Sequence, residues 1–303
     1  MMLADPAWLG YPQVVLAVWA PLVSLSVWLL ARPLLARLRP TDRFRAVVAT
    51  GLAPVLALCV PYLPASPLRQ ALPWRAPIAW GITAAAGGSG PLAALLDVVV
   101  VIVLVSVATS FGLGMGSAVR AWWWVRRVLQ PRKVGAMLVV GADRCPPGFG
   151  ACTVGLFRPR VVVSQALLDS PHGAAVVEHE RAHVAALHPL WILLAVCAVR
   201  AWWWCPGRRA LTAEIRLTAE LSADDRARQV VGRAAVASAL AAHIDDAGMR
   251  APVRHVPAFA DRRLEVEARA ESLRAPRRRP GRLATGLSGV LATLVVSAVV
   301  VLL

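Results

Sequence analysis

The stretch VVEHERAHVAAL carries two histidines, His179 and His183, with a glutamate, Glu180, directly after the first. On a helix, a spacing of four residues puts both imidazoles on one face, one turn apart, where both can reach a single Zn2+. Glu180, beside the first histidine, can contact a metal-bound water. Read as structure alone, the same residues make a polar helix face. A catalytic zinc takes three protein ligands and keeps one position open, so the rest of the chain must supply a third.

The pattern that adds a third histidine downstream would place it at 189, where Pro189 stands. His188 is one position early, follows an apolar turn and is assigned to structure. A glutamate from a second helix is the alternative. The segment AEIRLTAELSADDRARQVV is rich in helix formers and has no internal Gly or Pro. It offers Glu220 and, one turn later on the same face, Asp224. Glu220 would bind the metal, and Asp224 would accept a hydrogen bond from a ligand imidazole and fix its tautomer. Glu214 competes for the ligand role, although no acid follows it one turn on.

The elements that must carry these residues lie in an apolar chain. Of 303 residues 58% are hydrophobic, only 17% are charged, and Lys+Arg is 33 against Asp+Glu 17. That composition indicates membrane spans rather than an ordinary soluble domain. The net charge of +16 raises a nucleic-acid reading, but no helix-turn-helix or aromatic-basic signature accompanies it. The arginines instead gather beside apolar segments. Four such segments approach the roughly 20 residues a bilayer requires: Trp8 to Leu30, Ala46 to Leu63, Leu92 to Leu113 and Leu283 to Leu303. Arg32, Arg37, Arg39, Arg43 and Arg45 follow the first; Arg120, Arg126, Arg127, Arg132 and Lys133 follow the third; Arg274, Arg277, Arg278, Arg279 and Arg282 precede the fourth. The loop between the second and third has only Arg69 and Arg75. Basic loops face the cytoplasm, so the amino terminus is expected outside and the region between the third and fourth spans inside. The first apolar run has no basic leader and reads as a retained anchor. Asp97 is expected at the outer interface.

Pro189 to Trp204 is also apolar and nearly long enough to span. A single crossing there would put His183 and Glu220 on opposite sides of about 30 Å of hydrocarbon. The segment must be a core helix, an in-plane helix or a re-entrant one. The hexapeptide VRAWWW occurs at Val119 to Trp124 and again at Val199 to Trp204, and both copies read as interfacial anchors. Cys59 and Cys197 sit in apolar stretches as small hydrophobes, and Cys145 and Cys152 lack a zinc-site spacing.

Three segments of the inner region resemble the BlaR/MecR-type membrane zinc metallopeptidases, relatives of the gluzincins. They are TVGLFRPRVVVSQALLD from Thr153 to Asp169, HERAH, and ELSAD from Glu220 to Asp224, which is similar to that family's ExxxD signature. The order of spans also matches. The resemblance implies an α-helical integral membrane protein with a cytoplasmic α+β gluzincin-like metallopeptidase domain. Its parts would be three spans over 1–118, the zinc domain over 119–281 and a fourth span over 282–303. Residue by residue it implies His179, His183 and Glu220 as Zn2+ ligands, Glu180 as catalytic acid/base and Asp224 as their outer support. The expected reaction is hydrolysis of a cytoplasmic protein, by resemblance a BlaI-type transcriptional repressor. The alternative is a housekeeping quality-control or CAAX-type peptidase with the same two motifs. Antibiotic-sensing members carry an extracellular penicillin-binding domain after the last span. This sequence ends at Leu303, so sensing is expected to act through the outer loop, the spans or another protein.

Hydrolysis also needs a donor for the oxyanion. The only tyrosines, Tyr11 and Tyr62, lie in membrane segments, leaving His243, His255 or an arginine. Val161 to Val163 read as a β-strand; as an exposed edge beside the metal, that strand would bind substrate by strand addition. RAPRRRPGR, Arg274 to Arg282, is expected exposed and flexible, chiefly as a positive-inside anchor and alternatively as a self-cleavage site.

Overall fold

Residues 20–59, 91–248 and 259–275 are described by the computed structural model. Helices α1 (Ala20–Leu35) and α2 (Pro40–Cys59) come first, then a long helix α3 (Pro91–Trp124) that continues into one wide π-type turn at Val125–Leu129. Four short strands follow: β1 (Arg132–Val134), β2 (Met137–Val140), β3 (Ala151–Val154) and β4 (Arg160–Ser164). The rest is helical: α4 (Gln165–Leu168), α5 (Gly173–Ala185), α6 (His188–Ala201), α7 (Arg208–Val231), α8 (Arg233–Gly248) and α9 (Phe259–Arg274). The described chain is thus mostly helical with one small mixed sheet.

Among the described residues, one helix is long and apolar enough to cross a membrane, the stretch Val101–Leu129 of α3 and its π turn. It is apolar on every side, and Val98, Val101, Ile102, Leu104, Val105 and Leu113 are exposed along it. A helix of this kind needs an apolar environment that the described residues do not provide. α1 is apolar but shorter, and α2 begins at Pro40 and so takes Arg43 and Arg45 into its first turns. The fourth expected span, His255, Tyr11, Tyr62, the side chain of Asp97 and the arginine run beyond Ala275 lie outside the described residues.

The main core joins α1, α2 and α3 to α6 and α7, through Trp28, Leu35, Phe44, Val47, Val103, Val199, Trp202 and Ile215. α6 packs within this core: Ala195, Val196, Cys197, Ala198 and Ala201 are all buried, and with α5 it forms an apolar helix pair bent by 60°. This corrects half of the VRAWWW reading. In the first copy Trp123 and Trp124 are exposed, and Arg126 stacks over Trp122 at 5.4 Å. In the second, Val199, Ala201 and Trp202 are buried, while Arg200 and Trp203 are exposed. Both copies end a helix at least partly at a surface, but only the second buries a tryptophan there, Trp202.

The sheet runs β1-β2-β4-β3, with β2 and β4 parallel and the outer pairs antiparallel. Side chains alternate between its faces. Leu138, Val140 and Val162 pack with Val125 and Leu129 of the π turn, while Val139, Val161 and Val163 pack with Val177 and Val184 of α5. Val161 to Val163 consequently form an inner strand, buried on both faces and paired on both sides. The expectation of an exposed edge there is corrected: the edge beside α5 is β3. Gly155, with φ +98°, turns the β3–β4 hairpin in a conformation glycine adopts freely.

Candidate metal centre

α5 is pinned at its start by Gly173, where an added Cβ would come within 2.4 Å of the Leu167 carbonyl oxygen. Val177 and Val184, two turns apart, hold the helix on the sheet. His179 and His183 point instead toward α7, which packs along α5 on one side and α2 on the other. α7 divides its acids between these neighbours. Arg43 of α2 donates its Nε to Glu214 Oε1 at 2.9 Å, and Thr41 and Ser222 share a hydrogen bond of 3.1 Å. Glu220, six residues on from Glu214, points about 120° away from it round the helix and faces α5. The competition between the two glutamates ends there: Glu214 ties α7 to α2, and Glu220 joins the histidines.

The three groups meet closely. His179 Nε2 is 3.1 Å from His183 Nε2 and 3.3 Å from Glu220 Oε2, and His183 Nε2 is 3.5 Å from Glu220 Oε1. Bonds of 2.0–2.1 Å in a tetrahedral centre separate ligand atoms by about 3.3 Å. His179, His183 and Glu220 thus form a group that could hold one metal ion, with all three donor atoms within 4.8 Å of one another. His179 and His183 are nearly covered, whereas the Glu220 side chain is 26% exposed, which opens the group to solvent on that side.

The outer contacts fit the same purpose. Asp224 Oδ1 is 2.8 Å from His179 Nδ1, so a proton on Nδ1 leaves Nε2 free to ligate. Asp224 is itself gripped by Arg269 of α9, whose Nε and Nη2 donate to its two oxygens at 2.8 and 2.9 Å. Arg269 Nη1 also lies 3.3 Å from Glu220 Oε2. Glu180 projects toward the sheet, where Thr153 of β3 donates its hydroxyl to Glu180 Oε2 at 2.6 Å.

The electrostatics follow from this packing. Burial opposes charge on His179, but its hydrogen bonds to Asp224 and Glu220 and their charges raise it to about 10. His183 is pushed down, first by burial. Burial works against ionising Glu220 and Asp224; the hydrogen bond from His179 and the charge of Arg269 nonetheless hold both below the usual carboxylate range. Burial, reinforced by Glu180, pushes the Cys152 thiol up to about 12, which leaves it inert as a nucleophile. Cys145, Cys152, Cys197 and Cys205 are all free.

His179, His183, Glu220 and Asp224 are therefore brought together as the spacing predicts. His243 is exposed on α8 and not part of the buried group. Arg269, His188 and Thr153 also have contacts in the site. Thr153 had a usable signal, since period-2 alternation in β3 turns it with Ala151 toward α5. Nothing near Arg269 marks it, because it lies 45 residues from Asp224 among other arginines. Comparison of the chain with protein-family models, with curated proteins and with solved structures finds no match in any of the three, so the site is read from its own residues.

Proposed function

We propose that the chain is a membrane-bound zinc metallopeptidase of the BlaR/MecR type that hydrolyses a cytoplasmic protein, in its sharpest form a BlaI-type repressor. The observation that carries the reading is the convergence of His179 Nε2, His183 Nε2 and Glu220 at ligand-to-ligand distances, with Glu180 next in the helix. An all-nitrogen-and-oxygen donor set with one open side suits catalytic zinc. When bound, zinc supplies Lewis acidity toward a scissile carbonyl and lowers the pKa of a water.

The chain's own residues supply the rest. Thr153 occupies Glu180 Oε2 and leaves Oε1 to take a proton from water and return it to the leaving nitrogen. Asp224 and Arg269 hold His179 and Glu220 in place. The outer edge of β3, which no other described strand pairs, lies beside α5 and would take an extended peptide as an added strand. The exposed apolar surface of α3 supports a membrane location, and the arginine distribution supports a cytoplasmic site.

Metal analysis of the purified full chain tests the reading. One zinc per chain is expected in wild type, and Glu220→Ala is expected to lose it. Retention of one tightly held zinc in Glu220→Ala would remove Glu220 from the ligand set, and a wild type without zinc would end the reading. A smaller effect is expected for Thr153→Val, which leaves the ligands intact. A hydrogen bond to a charged group contributes about 1.5–3 kcal/mol, so kcat should fall at least tenfold with zinc content unchanged. A wild-type kcat would show that Thr153 does not orient the base.

A further inference from the structure

The site holds a third imidazole. His188 stands at the start of α6, 1% exposed, with its Nδ1 2.9 Å from Nδ1 of His183. We propose that His188 is a positioning residue for His183, accepting the hydrogen bond that fixes the tautomer whose Nε2 faces His179 and Glu220. The inference rests on the metal-site reading above.

The tautomers leave one consistent arrangement. His183 Nε2 is the atom turned toward His179 and Glu220, so as a ligand it must present a lone pair. A neutral His183 then carries its proton on Nδ1 and donates it to His188 Nδ1. His188 must in turn keep its own proton on Nε2. That atom is buried and has no hydrogen-bond partner among the described residues. The ring already stacks edge-on against Phe44 at 4.5 Å, where phenylalanine or leucine would pack without that defect.

The backbone also works to make this contact. His188 is five residues after His183, about 140° away around a straight helix. The chain instead bends by 60° between α5 and α6. The bend sits at Leu187, whose φ of +51° is a conformation that glycine adopts freely and leucine does not. Pro189 follows in the first turn and restarts the helix. Strain of this kind persists where the surroundings require it, and here the bend turns His188 back onto His183.

The choice of an imidazole has its own logic. Asp224 already sets a carboxylate beside His179, close to Glu220. A neutral acceptor supports the second histidine without adding another negative charge to a crowded site.

The test compares His188→Phe with His188→Asn in the full chain, purified in detergent, stripped of metal and titrated with zinc against a chelator. Phenylalanine keeps the ring against Phe44 and removes the acceptor. Asparagine places Oδ1 where Nδ1 was. Zinc affinity should fall about 10–100-fold in His188→Phe and recover in His188→Asn, while the thermal midpoint of the metal-free protein changes little in either. Wild-type affinity in His188→Phe would overturn the proposal and leave the metal site standing. Equal loss in both variants, tracking a lowered metal-free midpoint, would make His188 a packing residue. Absence of zinc from wild type would instead sink the metal-site reading itself.

Discussion

Protein carrying Glu180→Gln is expected to hold one zinc per chain and to lose hydrolysis by a factor of about 10²–10⁴, the range a positioned general base contributes. The separation of the two readouts follows from the geometry. Glu180 is not among the groups that converge on the metal position; its Oε2 is turned to Thr153 on the sheet side. Glutamine has the same shape and can keep a hydrogen bond to the Thr153 hydroxyl, so α5 and the ligand histidines stay where they are. What it cannot do is take a proton from water. Zinc content by elemental analysis and cleavage of an unfolded test protein by mass spectrometry measure the two properties on one sample. A variant cleaving at the wild-type rate would remove Glu180 from the mechanism. A variant without zinc would show that Glu180 supports the ligands. The same pair of proteins decides whether the chain cuts itself between Arg274 and Arg282: fragments there in wild type and not in Glu180→Gln would make it a substrate of its own site.

Legibility in the sequence follows the range of the interaction. His179 and His183 depend on one helix, and Glu220 and Asp224 on another, so spacing alone predicts each pair. Asp224 one turn on favours Glu220 over Glu214 in the sequence, but the physical reason lies in the neighbours of α7, where Arg43 stands opposite Glu214 and His179 opposite Glu220. The edge strand was misplaced for a related reason. Val161 to Val163 read correctly as a strand, but which strand lies outermost depends on β2 pairing in parallel beside β4. His188 reads as structural in the sequence because it falls one position short of the third-histidine pattern after an apolar turn, and the bend at Leu187 that brings it onto His183 leaves little trace in the sequence beyond Pro189. Arg269 comes from a separate helix, and no local pattern distinguishes it from the arginines around it.

Arg269→Ala is expected to destabilise the metal-free protein by about 3–5 kcal/mol, the usual cost of removing one partner from a buried charge pair. Asp224 is only 2% exposed and loses two hydrogen bonds at once, while Glu220 loses a cation 3.3 Å away. In the metal-free site, two carboxylates are balanced by Arg269 and by His179, whose pKa of about 10 keeps it protonated at neutral pH. Without Arg269 that balance is one positive charge short. A divalent ion restores it, since it brings two charges and displaces one proton from His179. The loss of stability should therefore be smaller in the zinc-loaded protein than in the metal-free one. By linkage, the variant must then bind zinc more tightly than wild type. The opposing effect is loosened orientation of the ligands, but Asp224 still faces His179 at 2.8 Å from its place on α7, so the charge effect is expected to win. Arg269→Lys should recover little, because an ammonium cannot reproduce the two parallel hydrogen bonds to Asp224. Thermal unfolding with and without zinc, together with a chelator titration, measures all of this. Equal destabilisation in both states would show that Arg269 only braces α9 against α7. Weaker zinc binding in the variant would show that Arg269 serves the ligands by holding them in place rather than by balancing their charge.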